Sequence, residues 1–118
     1  MAKRNSKNWN TAEWEYTALT AGSMMPLLCP QLTAEQLITR LRGILKICPE
    51  FYPAQLDLAI RLLSKGRNKR AEQQILSGVE TILRVEGPDT VKELIGTLID
   101  NLERIRQFDL CRRLLKSL

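Results

Sequence analysis

The side chains in this chain that could carry out chemistry are three cysteines and a few clustered charged groups. Cys29, Cys48 and Cys111 are far apart, form no C-x-x-C pair and have no histidine to join them. A zinc site would need ligands that the sequence lacks. The side chain most often used for proton transfer near neutral pH is also missing. We therefore predict no metal, no cofactor and no enzymatic activity, with the cysteines as buried, reduced thiols.

Two local arrangements could be assigned catalytic roles, but each has a simpler explanation. Asp100 and Glu103 lie on neighbouring positions of one predicted helix, as an acid/base pair would. Arg104 and Arg106 beside them favour a surface ion-pair network instead. Cys111 is followed by two arginines, which would lower the pKa of a nucleophilic thiol. It also occupies a position where two predicted helices cross, so packing accounts for it without chemistry.

Positive charge is a further signal, with a net charge of +5 at pH 7 and a pI near 9.4. Four cations cluster at one predicted turn: Lys65, Arg67, Lys69 and Arg70. Such a patch could contact phosphates, with binding that weakens as salt rises. No aromatic residues are interleaved with these cations, and several cations on the chain have acids four residues earlier, at Asp57–Arg61, Asp100–Arg104 and Asp109–Arg113. A small basic helical nucleic-acid-binding protein is therefore kept as the alternative function.

The elements that must position these groups are helices. At 118 residues, with 44% apolar and 5% aromatic side chains, the chain is predicted to form one domain with a core of leucine and isoleucine. Residues 1–10 are predicted to be a flexible basic arm, and residues 11–118 a single helical domain. The apolar stretch over residues 24–29 is too short to span a bilayer, and no signal-peptide core follows the basic start. We expect a cytoplasmic protein with no membrane partner.

Helix start and stop signals divide the chain into six segments. Thr11 is the predicted N-cap of a first helix that ends near Gly22, and Thr33 with Gln36 forms a capping-box pattern for the second. Pro53 suits the first turn of the third helix. The remaining predicted starts are Asn68, Asp89 or Thr90, and about Asp109. No window alternates as a half-buried strand would, so the predicted class is all-α.

Small and large apolar residues recur at fixed offsets around Gly66. The pattern consists of Leu58-Ala59, Leu62, Gly66, Ala71, Ile75 and Gly78. This spacing, over about residues 52–85, resembles the tetratricopeptide repeat, a 34-residue helix-turn-helix unit. A weaker copy matches at Leu98, Leu102, Phe108, Cys111 and Leu115. The pattern departs from the family at Gln55, where a tryptophan is usual, and at Leu83, where a closing proline is usual.

The resemblance implies an α-α superhelix, a solenoid of antiparallel helix hairpins that binds a protein or peptide along a concave face. In the family, the first helix of each hairpin builds that face. One subgroup clamps a terminal carboxylate there with Lys and Asn, but the corresponding positions hold Leu56 and Ile60. With Leu63, these residues would make an apolar groove suited to an amphipathic partner helix or a second copy of the chain.

The last hairpin is predicted to be an open apolar end. Its exposed face would carry Leu94, Leu98, Leu110 and Leu114, which predicts self-association or a partner there. Near the start of the chain, the aromatic residues Trp9, Trp14 and Tyr16 either dock on the core or anchor a partner. The function predicted from the sequence is thus a non-enzymatic adaptor that binds through an apolar groove or end.

Overall fold

Six helices joined by short connections make up the part of the chain that the computed structural model describes, which is residues 7–23, 31–104 and 107–117. The helices are α1 (Lys7–Ser23), α2 (Ala34–Ile47), α3 (Tyr52–Ser64), α4 (Asn68–Glu86), α5 (Pro88–Arg104) and α6 (Phe108–Ser117). No strand occurs in these ranges. The all-α class predicted from the sequence is confirmed.

The start of α2 shows how local sequence fixes a helix boundary. The Thr33 hydroxyl accepts a hydrogen bond from the Gln36 backbone N–H at 3.2 Å, and the Gln36 side-chain Oε1 accepts one from the Thr33 N–H at 2.8 Å. Both donors would otherwise lack a partner at the helix end. The capping box predicted from the sequence is therefore formed.

Two glycines with left-handed backbones separate the later helices. Gly66, between α3 and α4, has φ of +75°, and Gly87, between α4 and α5, has φ of +95°. At the first turn the Arg67 N–H bonds to the Leu62 carbonyl at 2.9 Å, and the Gly66 N–H bonds to the Leu63 carbonyl at 3.0 Å. These are the two bonds of a Schellman motif, in which glycine supplies the left-handed residue at no steric cost.

Consecutive helices pack against each other from α1 through to α6, and the most extensive packing is between α3 and α4. Small residues stand where those two helices cross, since Ala59 and Ala71 are fully buried. A Cβ added at Gly78 would lie 2.9 Å from Leu56 Cδ2. The small residues singled out in the sequence thus include one, Gly78, against which the Leu56 side chain of α3 packs directly.

The first helix begins earlier than the sequence suggests. Thr11 is not its cap, because α1 starts at Lys7 and the Thr11 hydroxyl donates to the Lys7 carbonyl at 3.0 Å inside the helix. Trp9 explains the extra turn, because its ring is 4% exposed and lies 4.9 Å from the Phe51 ring and 5.4 Å from the Tyr52 ring. Residues 7–10 of the expected arm are thus helical, while residues 1–6 lie outside the described part.

The apolar end expected at the last hairpin differs from the structure. Leu98 and Leu110 are 4% and 2% exposed, so both belong to the core rather than to an open face. Leu94 is half-buried. Among the described side chains, the large apolar groups that stay exposed are instead Trp14, Leu76 and Leu83.

Candidate binding groove

An open groove of 560 Å³ lies between α3 and α5, with one contribution from α1. Its lining residues come from these three helices: Tyr16, Tyr52, Pro53, Leu56, Asp57, Ile60, Arg61, Leu94, Thr97, Leu98, Asn101 and Arg104. A groove of this volume falls within the range of about 300–1,000 Å³ that is usual for binding sites.

Apolar side chains from two helices form the middle of this groove. Leu56 and Ile60 are one helical turn apart on α3, and Leu94 and Leu98 have the same spacing on α5. Leu98 is buried and forms part of the floor, whereas the other three are partly accessible. The structure therefore brings together four of the six residues that sequence reasoning assigned to partner binding.

The other two assigned residues are not in the groove. Leu63 is 6% exposed and belongs to the core. On a helix of 100° per residue, Leu63 lies only about 20° from Leu56, so it is burial in the last turn of α3, and not rotation about the helix axis, that keeps it out of the groove. The expectation that Leu63 lines the groove is corrected accordingly. The side chain of Leu114 lies outside the described residues.

A hydrogen-bonded chain of three side chains runs along one edge of the groove. The Tyr16 hydroxyl donates to Asp57 Oδ2 at 3.0 Å, and Arg61 Nε donates to Asp57 Oδ1 at 3.3 Å. Burial raises the pKa of the Tyr16 hydroxyl above its ordinary value, and the nearby negative charge of Asp57 raises it further. Asp57 is therefore a paired carboxylate that fixes α1 against α3, and its charge is balanced by Arg61.

Arg104 lies in the last turn of α5 and lines the same groove. The sequence suggested an ion pair between Asp100 and Arg104, but no such pair forms within the described residues.

The other two ion pairs that the sequence suggested have different outcomes in the structure. Arg61 does pair with Asp57 at 3.3 Å, whereas Arg113 pairs with Glu72 on α4 at 2.9 Å and Asp109 pairs with Arg112.

Sequence reasoning missed the polar residues of the groove. Asp57 is three residues before Ile60 and four before Arg61, so its place beside both on the surface of α3 was available as a signal. Tyr16 gave no such signal, because 41 residues separate it from its hydrogen-bond partner. Only the packing of α1 beside α3 brings its hydroxyl to the groove.

The basic turn is partly neutralised by an acid on another helix. Glu35 at the start of α2 accepts from Arg67 at 3.0 Å and lies 3.8 Å from Lys65 Nζ. Lys69 and Arg70 at the start of α4 are exposed, and neither forms an ion pair with a described residue. The four cations assigned to a nucleic-acid patch thus divide into two paired and two unpaired groups.

The burial of the cysteines bears on whether one of them acts as a nucleophile. Cys48 and Cys111 are free and buried, and burial raises the pKa of both thiols. A raised pKa is opposite to what a nucleophilic thiolate needs. Cys29 lies outside the described residues.

No group of three or more His, Cys, Asp or Glu side chains is placed to hold a metal ion within the ranges described. Over the same ranges, no helix combines the length and the apolar character that crossing a bilayer requires. Comparisons of the chain with protein-family models, with curated proteins and with solved structures find no match.

Proposed function

We propose that this chain is a non-enzymatic adaptor, a tetratricopeptide-repeat-like stack of three helix hairpins that binds a helix of a partner protein. The hairpins are α1–α2, α3–α4 and α5–α6. One observation carries the proposal: the groove is lined by the first helix of every hairpin, through Tyr16 on α1, Ile60 on α3 and Leu94 on α5. A binding face built from first helices is what the sequence resemblance implies.

The packing supports a stack of this kind. Each helix packs on the next one along the chain, and the smallest dimension of the fold is 20 Å. Because one helix with its side chains is about 10–12 Å across, this thickness fits two helix layers. The crossing of α3 and α4 uses Ala59, Ala71 and Gly78 in the positions that the repeat pattern assigns to small residues.

The chemistry of the groove favours a helical occupant. Leu56 and Ile60 on α3 present partly accessible apolar contacts one helical turn apart, and Leu94 on α5 presents a third beside the buried Leu98. An amphipathic helix offers matching side chains at positions i, i+3 and i+4 on one face. Burying such a face would cover the half-exposed parts of Leu56, Ile60 and Leu94, which gives the association its driving force.

Nucleic-acid binding has weaker support. Glu35 contacts both Lys65 and Arg67, and its single negative charge offsets one of the four positive charges at the basic turn, while Lys69 and Arg70 are exposed and pair with no described acid. Retention of labelled RNA at moderate salt, lost in the double variant Lys69→Glu/Arg70→Glu, would favour this alternative. Unchanged RNA mobility at low salt would exclude it.

Selected peptides can stand in for a natural partner in a test of the adaptor proposal. Peptides of about sixteen residues, enough for four helical turns, are selected from a display library against the immobilised chain. Their affinity is then measured for wild type, for the groove variants Ile60→Ser and Leu94→Ser, and for the control Leu83→Ser. Leu83 is 51% exposed on α4 and does not line the groove, so its replacement removes a large apolar side chain without changing the groove.

We expect the selected peptides to carry apolar residues at helical spacing and to lose at least about tenfold in affinity with each groove variant, as deletion of a central apolar contact usually causes. The control variant should bind as wild type does. Equal losses in all three variants, or none, would contradict the proposal. Circular dichroism of each variant shows whether the fold is retained.

A further inference from the structure

We propose that the partner helix carries acidic side chains at the end that meets Arg61 and Arg104. This inference rests on the proposed function, and it names the chemistry of the occupant. It follows from the direction of the helices and from the charges in the groove. Asp57 and Arg61 compensate each other, whereas no described residue compensates Arg104.

The helix directions place the two arginines at the same end of the groove. α3 and α4 are joined by a three-residue turn, and Gly87 alone joins α4 to α5. Packed helices joined by connections this short run antiparallel, so α3 and α5 run in the same direction. Arg61 and Arg104 both belong to the last turns of their helices. Tyr52 and Pro53, in the first turn of α3, line the opposite end.

Among the described residues that line the groove, three carry a formal charge: Asp57, Arg61 and Arg104. Asp57 accepts from both Tyr16 and Arg61, so its charge and that of Arg61 balance within the chain. Arg104 is exposed and forms no ion pair with a described residue. The lining therefore has one positive charge in excess, at the end away from Tyr52.

The neighbouring acids on α5 do not remove this excess. Asp100 and Glu103 are exposed, neither lines the groove and neither pairs with Arg104. A guanidinium presents several N–H donors in a planar fork that matches a carboxylate, and the apolar wall beside it would exclude water when a helix is bound. A carboxylate on the occupant satisfies Arg104, whereas a lysine there would meet the uncompensated positive charge of Arg104.

The experiment uses four synthetic peptides of about sixteen residues that share the same leucine pairs at i,i+4 spacing, the length being about four helical turns. Each carries a pair of Glu or a pair of Lys in either the first or the last turn. Binding of the labelled peptides is measured by fluorescence anisotropy at low and at high salt. The variants are Arg104→Gln and the control Lys92→Gln, because Lys92 is an exposed cation on the same helix that does not line the groove.

We expect one Glu peptide to bind about three- to tenfold more tightly than its Lys counterpart, as a partly shielded ion pair allows. Arg104→Gln should abolish this preference and Lys92→Gln should keep it. High salt should reduce it. Equal binding of Glu and Lys peptides, tighter binding of the Lys peptides, or a preference that survives Arg104→Gln would overturn the inference.

The outcomes also separate this inference from the proposed function. Peptides that bind without charge preference but lose affinity in Ile60→Ser would leave the groove as the binding face and refute only the acidic partner. Peptides whose binding is insensitive to Ile60→Ser, or that do not bind at all, would count against both.

Discussion

The hydroxyl of Tyr16 lies 3.0 Å from Asp57 Oδ2 and donates a hydrogen bond to it across 41 residues of sequence. This contact joins α1 to α3 at the edge of the groove. It also holds the carboxylate that neutralises Arg61. The same pair therefore contributes to stability and determines which charges in the groove remain available to a partner.

Removal of the Tyr16 hydroxyl should weaken the attachment of α1. We expect Tyr16→Phe to lower the free energy of unfolding by about 1–2 kcal/mol, because a half-buried hydrogen bond to a charged group is lost. Trp14→Phe is the control, since Trp14 is 74% exposed and should change stability by less than about 0.5 kcal/mol. Urea unfolding measures the change in the free energy of unfolding for both variants. An effect of Tyr16→Phe no larger than that of the control would contradict the structural role.

Alkaline pH should weaken the same contact. The pKa of Tyr16 is raised in the folded state, so the unfolded chain loses its phenolic proton first as pH rises above about 10, the ordinary value for tyrosine. The stabilisation is therefore fully present below about pH 10 and declines above it, by at most about 1.4 kcal/mol per pH unit. Unfolding of wild type and Tyr16→Phe across this range should show their stability difference shrinking. A stability difference between wild type and Tyr16→Phe that grows with pH would contradict a raised pKa of Tyr16 in the folded state.

Two helical glycines should respond differently to alanine. At Gly96 on α5 the added Cβ meets nothing within 4 Å, so Gly96→Ala should stabilise the fold by about 0.5–1 kcal/mol through helix propensity. At Gly78 the Cβ would lie 2.9 Å from Leu56 Cδ2, a methyl at the end of a side chain that must shift, so Gly78→Ala should stabilise the fold less than Gly96→Ala does. Gly78→Ala should also displace Leu56 and weaken peptide binding. Thermal unfolding that ranks the two variants equally would contradict the close approach of α3 and α4.

The two turn glycines should differ in how strictly they require glycine. Gly66 has φ of +75°, where Ala costs about 1–2 kcal/mol. Gly87 has φ of +95° and ψ of 176°, a region that is essentially restricted to glycine, with a cost of about 1–3 kcal/mol. We expect Gly87→Ala to be the more destabilising, and Asn to be tolerated better at position 66 than at position 87. Urea unfolding of the four variants tests this order, and the reverse order would contradict it.

Local rules accounted for much of the helical framework. The Thr33 capping box, the Gly66 turn and the small residues at Ala71 and Gly78 are each determined within one turn or one hairpin, so sequence spacing was enough to predict them. The start of α1 was missed because it depends on burial of Trp9 against Phe51, a contact with a distant part of the chain.

The groove was only partly predictable for the same reason. Leu56 and Ile60 follow from helical spacing, but Leu63 shares the face of Leu56 to within about 20° and is nevertheless buried by the neighbouring helices. Leu62 and the fully buried Ala59 show that α3 is apolar over most of its circumference, so the sequence pattern does not reveal which apolar side chains its neighbours cover. Tyr16 reaches the site only through tertiary packing.

The most direct test of the central claim is to map where a selected helical peptide binds, by amide chemical-shift changes in the isotope-labelled chain. The account predicts that the largest changes fall on α3 and α5 around Leu56, Ile60 and Leu94, with smaller changes on α1 near Tyr16. Changes centred on the exposed Leu76 and Leu83 of α4, or on Lys69 and Arg70, would show that the first-helix groove is not the binding face.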